Sequence, residues 1–153
     1  IVIESISRST SLVKLSLRDV VFGEYCPLEG FLSSTRTLLE FHFSQEYSTM
    51  TYETAQAIGR GFAQNKSLVK LQWHAPSGLD FMEEVLFGLL DHKKLRSLEL
   101  ELSLTKSSSQ VLRSLLHCNE TLESFKMILP NSEEEFPTMA SVLAGLAQNK
   151  GLK

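Results

Sequence analysis

Leu12-Val13-Lys14-Leu15-Ser16-Leu17 carries an arrangement of apolar residues that recurs along the whole chain. The further copies are Leu38–Phe43, Leu68–Trp73, Leu95–Leu100 and Leu122–Met127, and Leu152 opens a sixth. Successive copies begin 26, 30, 27, 27 and 30 residues apart. A period of this length predicts a repeat architecture, in which each unit buries its apolar face against its neighbours.

Each repeat combines a strand pattern with a helix pattern. Apolar residues alternate inside every copy, as in a strand with one buried face. This alternation predicts strands near 12–18, 38–44, 68–74, 95–102 and 122–128. The residues ten and six positions before each leading leucine are always apolar, as at Leu28 and Leu32, and this spacing of four places them on one helix face. Strands that alternate with helices at a constant period predict an α/β fold with a parallel sheet.

The predicted helices carry start and stop signals. Three segments fit a capping box, in which side chains satisfy the first free N–H groups of a helix: Asp80–Glu83, Ser107–Gln110 and Ser132–Glu135. The acidic run Glu133–Glu135 therefore indicates a helix start, favoured by the helix dipole, rather than an acidic binding tail. Asparagine recurs three residues before the leading leucine and predicts helix ends in the left-handed conformation: Asn65, Asn119 and Asn149.

Two further slots of the repeat predict tight packing. Glycine recurs late in three helices, which indicates close approach of neighbouring backbones: Gly61, Gly88 and Gly145. Trp73 belongs to a residue type that is enriched in binding hot spots. Its slot, however, holds an apolar residue in every other repeat: Leu17, Phe43, Leu100 and Met127. We therefore assign Trp73 to the core.

Composition excludes several classes of protein. Hydrophobic residues make up 42% of the chain and charged residues 22%, as in ordinary globular domains. The net charge of −3 leaves no basic footprint for a nucleic acid, and no apolar run is long enough to span a membrane. Cys26 and Cys118 are too few for a disulfide framework, which favours reduced thiols in a cytoplasmic protein. Both ends interrupt a repeat, so residues 1–153 are predicted to form a single domain truncated at both ends.

Two segments carry a family resemblance: Phe62-Ala-Gln-Asn-Lys-Ser-Leu68-Val-Lys-Leu71 and Leu116-His-Cys-Asn-Glu-Thr-Leu122-Glu-Ser-Phe125. They resemble the leucine-rich repeat family, in the long-repeat version typified by ribonuclease inhibitor. The resemblance implies a solenoid shaped as a horseshoe arc, with a parallel sheet on its concave face and helices on its convex face. The family often places Asn or Cys three residues after the last strand leucine. Here those positions hold Val20, Glu46, Pro76, Ser103 and Pro130, so the turns must be satisfied in another way.

The strand residues between the core positions are predicted to line the concave face in three columns. The first column is Lys14, Glu40, Lys70, Ser97 and Ser124. The second is Ser16, His42, Gln72, Glu99 and Lys126. The third is Arg18, Ser44, His74, Glu101 and Ile128. Neighbours in a column lie about 4.8 Å apart, so opposite charges adjoin. The columns are either a solvated face with weak cross-strand pairs or a mixed polar docking surface.

No motif predicts catalysis, a cofactor or a metal. The chain lacks a glycine-rich phosphate loop, a His-Glu-x-x-His helix and a nucleophile elbow. His42, His74 and Glu101 form at most a loose group, and a metal requires three or four converging ligands. Cys118 follows His117 in the chain, but its slot in sister repeats indicates a helix end rather than a reactive thiol.

The resemblance implies recognition of a protein partner through the concave columns. The motifs, charge and hydropathy described above predict no enzymatic activity and no nucleic-acid, membrane or small-molecule partner. The partner-binding candidates are Lys14, Ser16, Arg18, Glu40, His42, Lys70, Gln72, His74, Glu99, Glu101 and Lys126. Two alternatives stay open. Some proteins with this repeat accelerate GTP hydrolysis on a small GTPase, and a repeat array can also be a spacer between domains of a larger receptor or adaptor.

Overall fold

One strand and one helix alternate along the part of the chain that the computed structural model describes, residues 6, 9–22, 26–46, 50–75, 81–128 and 136–153. The elements are β1 Lys14–Arg18, α1 Leu28–Ser34, β2 Glu40–Ser44, α2 Tyr52–Gln64, β3 Lys70–Ala75, α3 Met82–Phe87, β4 Ser97–Leu102, α4 Lys106–Cys118, β5 Ser124–Ile128 and α5 Phe136–Gln148. We number the rungs 1 to 5 by their strands, and residues 149–153 lead into a sixth.

The five strands form one parallel sheet in the order β1-β2-β3-β4-β5. Each strand begins two residues later than the sequence predicts, because the leading leucine and the residue after it belong to the connection. In rung 2, for example, the backbone N–H groups of Leu39 and Glu40 both donate to the Val13 carbonyl. The predicted alternation is confirmed, since buried and more exposed residues alternate along β1 to β4.

The helices cover one face of the sheet and form a single core with it. Trp73 is 0% exposed and stacks on Phe43 at 4.3 Å between ring centroids, which confirms its assignment to the core. The predicted helix face is also buried in rungs 2 to 5: Leu28, Leu32, Ile58, Phe62, Val85, Leu89, Leu112 and Leu116. Among the described elements, close backbone contacts join only neighbouring strands or neighbouring helices.

The recurring glycines let neighbouring helices approach closely, as predicted. A Cβ atom on Gly61 would lie 2.9 Å from the Leu32 Cβ of the preceding helix. On Gly145 it would lie 2.8 Å from the Arg113 carbonyl oxygen. On Gly88 it would collide with the backbone of Gly59. Any larger residue at these positions would have to push two helices apart.

The recurring asparagines do not adopt the left-handed conformation, so that prediction is wrong. Asn65 has φ −69° and ψ 133°, and Asn119 has φ −82° and ψ 114°, which are extended values. The extended backbone turns the chain from the helix into the next strand. It also directs the side chain towards the preceding rung, where the asparagine makes the contacts that fix its position.

These asparagines form a ladder between rungs. The Asn65 Nδ2 donates to the Leu32 carbonyl at 2.7 Å, while its Oδ1 accepts from the backbone N–H groups of Ser67 and Leu68 at 2.9 and 2.8 Å. Asn119 repeats the arrangement with the His92 carbonyl and its own following N–H groups. Each asparagine therefore closes its own turn and links it to the rung before.

His92 occupies the asparagine slot of rung 4 and fills it less well. The ring is 6% exposed, and its Nδ1 accepts from the Lys94 N–H at 3.4 Å. Its Nε2 makes no hydrogen bond of good geometry to a described residue, although the Asn65 backbone lies close enough to the ring to favour its protonated form slightly. Burial, with a smaller contribution from Lys66, lowers the His92 pKa to about 4. Protonation of this ring is therefore disfavoured in the folded protein.

We expect the protein to lose stability as the pH falls from 6.5, the ordinary histidine value, towards about 4, because only the unfolded chain protonates His92 readily in that window. The loss specific to this group is about 2–3 kcal/mol near pH 4.5. Denaturant unfolding of the wild type and His92→Asn at pH 7 and pH 4.5 checks this. Equal losses in the two proteins would contradict the assignment, because other titrating groups are common to both.

The three predicted helix starts either need correction or fall outside the described residues. The capping box of α4 consists of Thr105 and Ser108, two residues before the predicted Ser107–Gln110. Because this run is rich in serine, the capping-box pattern fits at several neighbouring positions. Packing in the folded protein determines which of them begins the helix. Helix α3 follows Phe81, which has φ 77° and provides no side-chain cap. Asp80 and the run 132–135 lie outside the described residues.

The first strand-end turn is satisfied by an aspartate rather than by the family asparagine. Asp19 adopts φ 49°, and its Oδ1 accepts from the Glu46 N–H of the next rung at 3.1 Å. It stands one residue before Val20, the position at which the family places Asn or Cys. The sequence-based expectation that these turns are satisfied in another way is confirmed here.

Candidate protein-binding surface

Three columns of side chains lie on the face of the sheet opposite the helices, which we call the polar sheet face. The strand register pairs Lys14 with Glu40 and Glu40 with Lys70, and the other two columns follow in the same way. All eleven candidate residues predicted from the sequence lie on this face. Their placement in columns is confirmed, whereas their role in binding stays a prediction.

The β1 end of the polar sheet face is basic and open to solvent. Lys14 pairs with Glu40 at 3.1 Å, and Arg18 lies 3.6 Å from Asp19, with all four side chains at least 40% exposed. Pairs this exposed contribute at most about 1 kcal/mol to stability. Lys70, on β3, donates its backbone N–H to the Leu39 carbonyl, but its side chain makes no hydrogen bond or ion pair with any described residue. The Lys70 side chain is therefore free to contact another molecule, and the exposed pairs of Lys14 and Arg18 can exchange their partners at little cost.

Glu99 is the centre of a tighter group on rungs 3 to 5. Its carboxylate accepts from the Lys126 Nζ and from the Gln72 Nε2, each at 2.6 Å. These two donors hold the Glu99 pKa below its ordinary value. The Glu99 side chain is only 17% exposed, so this group is more shielded from solvent than the pairs at the β1 end.

A pair of histidines lies beside Glu99. The rings of His42 and His74 are 5.1 Å apart between centroids. The His42 Nδ1 lies 3.3 Å from the Ser16 Oγ, and the His74 Nδ1 lies 3.5 Å from a Glu101 carboxylate oxygen. Burial, followed by the charge of His74, lowers the His42 pKa, which favours its neutral form at pH 7.

The histidine pair leaves polar atoms unsatisfied. The Nε2 atoms of His42 and His74 are both buried and make no hydrogen bond to a described residue, although the His74 Nε2 lies 3.9 Å from a Glu99 carboxylate oxygen. Buried polar atoms are normally hydrogen-bonded, so these two are candidates for contact with a partner. The described residues contain no group of three or more His, Cys, Asp or Glu side chains able to hold a metal ion.

The two cysteines lie in different environments. Cys26 is buried, and burial raises the pKa of its thiol; Cys118 is the exposed last residue of α4, at the helix end predicted for it.

Sequence reasoning placed no candidate in the connections from helix to strand, where several lysines meet. Adding up the charges at equivalent positions of the successive repeats would have indicated these basic connections. Among the described helices, none is long and apolar enough to cross a membrane.

Comparisons with known proteins show a likeness in fold. No protein-family model matches the chain, and no curated protein matches it. The actin-binding site 2 of leiomodin-1 superposes with a TM-score of 0.60 and 13% identity, over 95% of this chain and 88% of that one. The C-terminal domain of tropomodulin from Caenorhabditis elegans superposes with a TM-score of 0.63 and 15% identity, over 96% and 92%. At these identities the likeness concerns the fold alone.

The expected kinship with the ribonuclease-inhibitor type of leucine-rich repeat is wrong, since the similar structures are tropomodulin and leiomodin domains. The segments that suggested it, around Asn65 and Asn119, record the hydrogen bonds that join a helix end to the next strand and to the preceding rung. Hydrogen bonds of this kind can stabilise any fold that stacks repeated units of one strand and one helix. They therefore do not identify one type of it.

Proposed function

We propose that this chain is a non-catalytic recognition module that binds a protein through the polar sheet face. The observation that carries the proposal is the buried ring nitrogen Nε2 of His42, which has no hydrogen-bond partner among the described residues and lies beside His74 at the centre of the polar columns. Leaving such an atom unsatisfied is costly, and a partner's donors and acceptors would relieve that cost. If the array is a curved solenoid, this face is its concave side.

Actin is the first partner to test. One of the two similar structures is described as an actin-binding site, and that likeness extends over nearly the whole chain. The regulator of a small GTPase and the structural spacer stay alternatives. Acceleration of GTP hydrolysis by a candidate GTPase would favour the regulator, and failure to bind any protein would favour the spacer.

We expect Lys70→Glu to weaken the binding of monomeric actin about tenfold, because it reverses an unpaired charge in the first column. Sedimentation and fluorescence titration with labelled actin measure the change. Arg113→Glu is the matched control. It makes the same charge change at an exposed position of α4, on the helix side, and should leave affinity within about twofold.

Two outcomes would overturn parts of this proposal. No binding of monomeric or filamentous actin by the wild type would remove actin as the partner. Actin binding that Lys70→Glu and Arg113→Glu change equally would show that the polar sheet face is not the contact surface.

A further inference from the structure

A strongly basic edge lies where the helices lead into the strands. We define this connection edge as residues 35–39, 65–69, 92–96, 119–123 and 149–153. It carries seven cations and two carboxylates, although the whole chain has a net charge of −3. The cations are Arg36, Lys66, Lys93, Lys94, Arg96, Lys150 and Lys153. This edge is distinct from the polar sheet face, since its residues lie before the strands begin.

Part of the connection edge has an ordinary structural explanation. Cations near the end of a helix interact favourably with its carbonyl groups. Arg36 donates to the Ser33 carbonyl at 3.1 Å, and Lys66 donates to the Ala63 carbonyl at 3.3 Å. These two residues therefore stabilise the ends of their own helices. The cations of rungs 4 to 6 make no such contact.

A cleft of about 610 Å³ opens among those remaining cations. Lys93, Lys94, Arg96 and Lys153 line it together with Glu123 and other residues. Arg96 pairs with Glu123 at 2.9 Å. The three lysines are exposed and have no ion pair or hydrogen bond to a described residue through their side chains. The cleft therefore holds three unpaired positive charges.

The arrangement of charges in the cleft favours one class of ligand. Lys93 and Lys94 belong to rung 4 and Lys153 to rung 6, while Glu120 and Glu123 lie on the rung between them. A compact phosphate would meet those carboxylates, and Arg96, the residue best suited to hold it in a bidentate manner, is already engaged. Carboxylates spaced apart along an extended chain would instead reach the lysines on either side.

Spacing along the edge sets the length of such a chain. Rungs 4 and 6 are two strand separations apart, about 9.6 Å at about 4.8 Å each. A peptide in the polyproline II conformation advances about 3.1 Å per residue with three residues per turn, so carboxylates three residues apart lie on one side of it and match this separation. We propose that the cleft binds an extended acidic segment of a partner protein, with one carboxylate on Lys93 or Lys94 and another on Lys153.

A fluorescein-labelled peptide with two glutamates three residues apart tests the proposal by fluorescence anisotropy at low salt. We expect it to bind and to be weakened about tenfold in the Lys93→Glu/Lys94→Glu variant. The matched control is Lys106→Glu/Arg113→Glu, which makes the same charge change at exposed positions outside the connection edge. Circular dichroism spectra verify that all three proteins are folded alike.

Several results would overturn the proposal. The first is equal weakening in the control variant, which indicates unspecific attraction; the second is equal binding of a peptide with glutamines in place of the glutamates. Displacement of the peptide by inorganic phosphate or by phosphatidylserine vesicles, more effectively than by unlabelled peptide, would assign the cleft to a phosphate group or a membrane. Lys70→Glu should leave peptide binding unchanged, so this test and the actin test fail independently.

Discussion

Trp73→Ala should destabilise the protein by roughly 3–5 kcal/mol, the range observed when a fully buried tryptophan is truncated. Trp73 is 0% exposed and stacks on Phe43, which in turn stacks on Phe22 at 6.4 Å between centroids. Truncation would leave a cavity in the middle rung of the sheet. Unfolding in guanidinium, followed by circular dichroism because Trp73 is the single tryptophan, measures the change.

Trp73→Phe is the informative companion variant. The indole Nε1 is buried and has no hydrogen-bond partner among the described residues, so phenylalanine removes no hydrogen bond seen there. It also keeps a ring next to Phe43. We therefore expect a loss well below that of Trp73→Ala. Equal losses in the two variants would show that the core requires the whole indole and that a smaller ring beside Phe43 does not compensate for its loss.

Asn65→Ala should cost roughly 3 kcal/mol or more, because it removes four hydrogen bonds, three of them to backbone groups, at a site that is 1% exposed. The Leu32 carbonyl and the N–H groups of Ser67 and Leu68 would lose their side-chain partner together. Each buried group left unsatisfied costs about 1–3 kcal/mol, and local rearrangement recovers part of that loss. Denaturant unfolding at neutral pH measures the effect.

Gln64→Ala provides the control, since Gln64 precedes Asn65 in the chain and is exposed. A surface change of this kind normally alters stability by less than about 0.5 kcal/mol. If Asn65→Ala lost no more stability than the control, the asparagine hydrogen bonds would contribute nothing measurable to the free energy of unfolding. The stability of the turn would then come from the leucines around it.

The period of the sequence located much of the fold. Because each slot occurs once per rung, residues such as Trp73 could be assigned by what sister repeats hold, and the assignment was correct. The same counting placed Lys14, Glu40 and Lys70 in one column of the sheet, as the register confirms. Repetition averages out local exceptions, which explains why these features were predictable.

Predictions that considered only residues adjacent in the sequence, and not the neighbouring rung, were less accurate. Asparagine often ends helices in the left-handed conformation, but the Leu32 carbonyl offers Asn65 a better arrangement from 33 residues away. The position of Thr105 as the helix cap likewise depends on tertiary packing. The cleft beside Lys93 and Lys153 was missed for a related reason, since its charges come from three different rungs and no single repeat reveals it.

The restriction of close backbone contacts to neighbouring elements has a consequence for any partner that binds. Units linked in this linear way open individually as well as together, so amide hydrogens in different rungs exchange with solvent at different rates. A partner that spans several strands would couple the rungs it covers and slow exchange there. A partner on the connection edge would instead protect rungs 4 to 6. Amide hydrogen exchange, resolved by rung, thus maps the footprint of a ligand along the array.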